Sequence, residues 1–348
     1  MSRPAVIRAA GGTRIVLLLF SVAASLPGGL AVCLAGGAAA QSREGASPPV
    51  ATAAPIVVDA AGGGHFASLR EAMAAAPPGA HIHIRPGTYR ESLTMDKPLH
   101  LAGVGESPGD VVIESRSGPC LHFDAEFGSL SRVTLRYRGF DLADCLLIVR
   151  ARLWVEDADL TSRTGSVISV LGEGTAPTIR RCRIHGGRDA GILVWRGAEG
   201  RYEDNDIFGN ELAGIAVTAG GDPIAVGNRI HDNGGPGIDV FQGGRGRFER
   251  NEIFGKAQSG VSVKEGGDPA LSENRIHGNR EAGIWIHNAG RGRFERNHVF
   301  DNAMEGIDVS SGTPTLTGNR IYRNGKGDLV IRGEAAGRYE GNFEGVPE

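Results

Sequence analysis

A chain of 348 residues with 37 basic and 40 acidic side chains carries a net charge of −3, and 54 of its residues are glycine while only 6% are aromatic. That length suits one large domain or two ordinary ones with a sizeable core, and the glycine content implies many turns. Residues 1–40 hold three arginines and no acid, so the remainder carries 34 basic against 40 acidic residues, a balance that argues against nucleic acid as a partner.

The first forty residues read as a cleavable export signal. Arg3, Arg8 and Arg14 precede the short apolar run IVLLLFSVAASL, and AGGAAAQ supplies small residues for cleavage after Ala40. The apolar run is short and followed by glycines, so no stable membrane span is expected after cleavage. Secretion or a periplasmic location follows, with an uncleaved or lipidated anchor at Cys33 as the alternative. Residues 41–55, QSREGASPPVATAAP, have the composition of a linker. Three cysteines then remain, Cys120, Cys145 and Cys182, an odd number that excludes a fully paired disulfide framework. Each suits a small buried apolar position, and a Cys120–Cys145 bridge stays open in an oxidising compartment.

Residues 56–118 read as an N-terminal cap and the first coils of a larger array. Ser68 followed by Glu71 is a capping box opening a short helix, with Leu69, Ala72, Met73 and Ala76 on one face. Pro77-Pro78-Gly79 ends it, and HIHIRPGTYRESL alternates as strand, turn, strand.

Residues 119–348 form a repeat array. Asparagines recur at Asn205, Asn228, Asn251, Asn274, Asn297, Asn319 and Asn342, in steps of 23 residues with one of 22. Cys182 and Asp159 fall in the same slot one and two periods earlier. Two residues after each anchor from Cys182 to Asn319 stands Ile or Val, and nine residues after it comes Gly followed by apolar-x-apolar, as in GILV, GIAV, GVSV and GIWI. The last repeat alone departs, with Asp328 in the glycine slot. A leucine-rich repeat of this length needs a leucine consensus that is absent. The period fits one coil of a parallel β-solenoid, in which equivalent positions stack about 4.8 Å apart and inward asparagines form ladders. Such an array needs capped ends, and the helix from Leu69 is a natural lid.

The segment GGHFASLREAMAAAPPGAHIHIRPGTYRE resembles the opening region of pectin methylesterases and related pectate-lyase-like proteins. The coils from residue 176 onward are similar to the repeats of β-helical F-box proteins and of carbohydrate-binding or polysaccharide-processing β-helices. The resemblance implies an all-β fold, a single-stranded right-handed parallel β-helix with coils of about 23 residues and a short N-terminal capping helix. Fold resemblance does not carry chemistry. The Gln-Asp pair and Asp-Phe-Ile-Phe-Gly segment of pectin methylesterases, the Asp-Pro-His-Asp stretch of alginate epimerases and the clustered calcium-binding carboxylates of pectate lyases have no counterpart here.

GRGRFERN occurs at Gly244–Asn251 and again at Gly290–Asn297, two periods apart. The columns explain why. Arg183, Asp206, Arg229, Glu252, Arg275, His298 and Arg320 alternate in charge, as do Asp222, Arg245, Asp268 and Arg291. Large core residues Tyr202, Phe248 and Phe294 alternate with Ala225, Leu271 and Leu316. His185, His231 and His277 alternate with Phe208, Phe254 and Phe300. Two complementary coils are therefore the repeating unit. Histidines two coils apart stand roughly 10 Å from one another, too far to share a metal, so neither a metal nor a cofactor is expected.

Beyond each glycine the second and fourth residues point outward. One column reads Leu193, Ala216, Asp239, Ser262, Trp285, Asp308 and Val330; the next reads Trp195, Thr218, Phe241, Lys264, His287, Ser310 and Arg332. Aromatics beside acids, a lysine and a histidine on one exposed face suit a glycan, since flat rings stack on sugars and charges hold hydroxyls or carboxylates. Trp195, Asp239, Phe241, Lys264, Trp285, His287 and Asp308 are the candidate ligand contacts. His287 with Asp308 is a candidate acid/base pair and Lys264 its neighbour. Asp239 and Asp308 stand three coils, about 14 Å, apart, beyond the span of a glycosidase carboxylate pair. Arg247 and Arg293 belong to a second stripe, Arg201 to Arg338, with Ile224, Ala270 and Thr315 between; Glu203, Glu249, Glu295 and Glu340 lie two residues on. The expected function is binding, and in one reading modification, of a carbohydrate polymer. An enzyme would be a polysaccharide lyase, hydrolase or epimerase. The competing class is a non-enzymatic scaffold with a protein partner.

Overall fold

The computed structural model describes residues 54–255, 258–333 and 335–345. The export signal, and the linker up to residue 53, lie outside the described residues. Among the described residues, short strands follow one another with a single α-helix, Leu69–Ala75. Every strand pairing among them is parallel, and these strands stack into three sheets of 13, 11 and 12 members. From the middle of the chain each coil donates one strand to each sheet, as Thr178–Arg180, Arg183–His185 and Ile192–Trp195 do. We refer to these as the Arg-Glu sheet, the His-Phe sheet and the Gly-strand sheet.

The apolar columns line the interior. Ile184, Ile207, Ile230, Ile253, Ile276, Val299 and Ile321 are fully buried, and so are Tyr202, Phe248 and Phe294 with Ala225 between the first two. The asparagine ladder lies at the corner between the Arg-Glu and His-Phe sheets. Asn251 Nδ2 donates to the Ala225 carbonyl at 2.9 Å and to Asn274 Oδ1 at 3.0 Å, while its Oδ1 accepts from Asn228. A buried amide thereby satisfies backbone groups that the corner leaves unpaired. A second ladder, which the sequence pattern did not reveal, runs through Asn210 and Asn233 and again through Asn279, Asn302 and Asn324. It ends on Asp328, whose Oδ1 accepts from Asn324 Nδ2 at 2.9 Å. A Cβ at Gly306 would meet Ile321 Cγ2 at 2.4 Å and Asn324 Nδ2 at 2.5 Å, which holds that slot to glycine inside the array.

Several expectations need correction. Asp159 does not occupy the anchor slot: it pairs in register with Arg183, so that coil is one residue longer and Ala158 holds the place. Arg245 meets Asp222 at 3.2 Å, but Arg291 forms no ion pair with Asp268. The capping box is only half present. Ser68 accepts from the Glu71 amide, yet the free amides of Leu69 and Arg70 and the Ser68 hydroxyl all donate to Glu91 at 2.9 Å. Glu91 reaches across from the GTYRE turn because a carboxylate at a helix start satisfies several orphan donors at once. Leu69, Ala72 and Met73 are buried against the first strands, as a lid requires. Cys120, Cys145 and Cys182 are all buried free thiols, so the bridge is absent.

Candidate functional site

The rings of the His-Phe sheet form a continuous stack, His185, Phe208, His231, Phe254, His277, Phe300 and Tyr322, with centroids 4.8 to 5.4 Å apart. Each histidine is also held by the acid of the preceding coil, at 2.9 Å from Asp159, 3.0 Å from Asp206 and 3.3 Å from Glu252. These imidazoles are committed to architecture.

The Gly-strand sheet brings the predicted ligand residues together on its outer face, spread over successive coils. Asp239, Ser262, Trp285 and Asp308 are consecutive register partners. The face is less exposed than expected: Phe241 is 7% and Asp308 8% exposed, and Trp285, His287, Lys264 and Asp239 are half-buried. Side chains in adjacent parallel strands stand at strand spacing, so each shields the next. Asp308 makes no hydrogen bond to His287. Its oxygens are instead 3.1 and 3.2 Å from Arg332 Nε, and Ser310 Oγ donates to it at 3.1 Å. Arg332 also grips the buried Glu305. Lys264 is likewise no free neighbour of His287, because its Nζ bridges both oxygens of Asp239 at 2.7 and 2.8 Å and lies 5.0 Å over the Phe241 ring.

Between these two ion pairs sits a stacked platform. The Trp285 and His287 rings are 3.8 Å apart and nearly parallel, and Trp285 Nε1 donates to Ser310 Oγ at 3.2 Å. His287 Nε2 is buried without a hydrogen-bond partner. Burial, then the Lys264 charge, push its pKa down to about 4 against the opposing pull of Asp239 and Asp308, so the ring is neutral at pH 7. The site thus offers a neutral imidazole with an unused nitrogen, an indole and two compensated ion pairs. Trp195, farther along, carries a second unpartnered buried Nε1 with Arg196 over its ring at 4.3 Å. Of the second stripe, Arg247 leans on Glu249 at 3.7 Å, and Arg293 has no ion-pair partner among the described residues.

A further acidic cluster, which the repeat does not reveal, flanks the third to fifth strands of this sheet. Burial pushes the Asp144 carboxyl up to about 6 and raises Asp189 as well, and Asp144 accepts from the Ser166 amide at 2.9 Å. Both acids lie in turns that the 23-residue period does not align. No helix among the described residues is long and apolar enough to cross a membrane.

The family described as "Right handed beta helix region" matches residues 145–267 and 235–342. The chain belongs to the right-handed β-helix family. Solved right-handed β-helices resemble it across most of its length. The A-module of mannuronan C-5 epimerase AlgE6 from Azotobacter vinelandii superposes with a TM-score of 0.61 at 17% identity, covering 80% of this chain and 94% of that one. Pectate lyase Pel9A gives 0.57 at 16% identity, covering 83% and 78%. The α-1,3-glucanase catalytic unit of family GH87 from Streptomyces thermodiastaticus gives 0.50 at 16% identity, covering 79% and 65%. At these identities the likeness is one of fold.

Proposed function

We propose that this right-handed β-helix protein binds a polysaccharide along the outer face of its Gly-strand sheet, in a secreted or periplasmic setting. The observation that carries the reading is the Trp285–His287 platform, with its unpartnered His287 Nε2, set between the Lys264–Asp239 and Arg332–Asp308 pairs. An indole edge supplies apolar contact to a sugar ring. A neutral imidazole nitrogen takes one hydrogen bond from or to a hydroxyl, recovering what burial has cost it. The flanking ion pairs present carboxylate and cationic edges for further hydroxyls or a uronate. A parallel array repeats these contacts along one axis, which suits a chain-like ligand better than a compact one. Similarity of fold to an epimerase, a lyase and a glucanase supports a glycan as the ligand class.

Binding rather than chemistry is the assigned role, because both carboxylates on the face are neutralised by cations and neither touches His287. Isothermal titration with a panel of neutral and acidic glycans tests this. Saturable binding to at least one member, weakened at least tenfold in Trp285→Ala/His287→Ala, is the expected result, about the loss of one well-made polar contact. An absence of binding to every member by the folded protein would sink the reading. A change in polymer length or uronic-acid configuration after incubation would add catalysis to it.

A further inference from the structure

The outer column of the His-Phe sheet does not alternate in charge along its whole length, as the repeat led one to expect: the alternation holds through Arg275 and is lost at His298. Arg183 is 2.8 Å from Asp159, and Arg229 lies between Asp206 at 3.5 Å and Glu252 at 3.8 Å. In the coil where the next acid belongs stands His298, in register with Arg275 on one side and Arg320 on the other. Arg275 keeps a distant contact with Glu252, at 3.9 Å, and lies 5.4 Å over the Phe300 ring, and Arg320 has no side-chain partner among the described residues.

The neighbouring corner column opens the space. It runs Glu273, Arg296 and Gly318, so the third position has no side chain to fill it. The result is a cleft of about 620 Å³ lined by Glu273, Arg275, Arg296, His298, Gly318 and Arg320. Three guanidinium groups face one carboxylate there, and that carboxylate is already engaged by Arg296 at 3.4 Å. His298 adds no balancing negative charge. Burial first, then Arg320 and Arg275, lower its pKa, leaving a neutral ring able to donate one N–H.

We propose that this corner is an oxyanion-binding site in which Arg275 and Arg320 clamp a carboxylate, sulfate or phosphate group over His298. Guanidinium forks match the paired oxygens of such groups. The two arginines start about two strand spacings, roughly 10 Å, apart, within reach of a shared anion for two long side chains. The inference is independent of the glycan reading, since the cleft lies on a different sheet from Trp285 and His287.

The test uses the full chain carrying Trp285→Ala/His287→Ala, so that the Gly-strand face is silent. It is titrated at low ionic strength with an oligogalacturonate, inorganic sulfate, inorganic phosphate and a neutral glucan oligomer. At least one oxyanion binds and the neutral oligomer does not. Arg320→Ala weakens that binding roughly tenfold, the worth of one charge-assisted hydrogen bond. His298→Glu installs the acid found at the equivalent Glu252 and abolishes binding while the circular dichroism spectrum and melting temperature hold or rise. Preference for the oligogalacturonate identifies a saccharide carboxylate; equal binding of sulfate or phosphate identifies a free oxyanion. Failure of every oxyanion to bind, or binding that survives His298→Glu in a folded protein, overturns the proposal.

Discussion

A methyl group added at Gly260 would stand 2.4 Å from Ile276 Cγ2 and 2.6 Å from the Gly283 carbonyl oxygen. Both neighbours belong to the next coil and to the closed core, so neither can yield cheaply. Gly260→Ala should lower unfolding stability by about 1–3 kcal/mol, the usual cost of overpacking, as measured by urea denaturation. His287 makes a second residue-scale prediction. Its folded value of about 4 lies below the ordinary 6.5, so between those limits the unfolded chain takes up a proton that the folded one refuses. The stability tied to the neutral ring is present above pH 6.5 and is lost as pH falls toward 4. His287→Gln should therefore lose less stability than the wild type between pH 7 and pH 4.5 in parallel urea titrations. An equal loss in both proteins would show that His287 does not titrate in this way.

At the scale of elements, the alternation of His with Phe, of Arg with acid and of large with small core residues makes two coils the structural unit. Deleting residues 252–274 would remove one coil and set Arg229 against Arg275, His231 against His277 and Phe248 against Phe294. Deleting residues 229–274 removes two, yet sets Asp206 against Arg275 and Phe208 against His277, keeping every alternation. The shorter protein should melt at the higher temperature, followed by circular dichroism. The reverse order would mean that the columns contribute little beyond area. Much of this level was legible in the sequence, because a parallel array turns periodicity directly into neighbours: the anchor asparagines, the ring stack and the glycine column all follow from position modulo 23. What escaped were contacts set by side-chain reach or by turns off the period. Glu91 on the helix start, Arg332 on Asp308, the 24-residue coil at Ala158 and the Asp144 recess are of that kind. The residues of the candidate face do lie on one sheet, while their partners differ from those expected, since a diagonal neighbour in register need not be the one a long cation chooses.

For the molecule as a whole, the right-handed β-helix leaves three outward sheets with distinct surfaces. The His-Phe sheet is occupied by its own ring stack and ion pairs except at the His298 corner. The Arg-Glu sheet alternates arginines with small residues and balances most of them against glutamates two positions on. The Gly-strand sheet keeps polar atoms that the fold itself leaves unused, His287 Nε2 and Trp195 Nε1. A buried donor or acceptor without a partner is costly in an isolated protein and is recovered when a ligand supplies one. The most direct test is therefore to titrate the folded protein with acidic and neutral glycans while following the His287 ring resonances by NMR. The account predicts a saturable shift of those resonances with at least one glycan, absent when Trp285 is replaced by alanine. Glycan binding that leaves the His287 resonances unmoved, or no binding to any glycan, would contradict it.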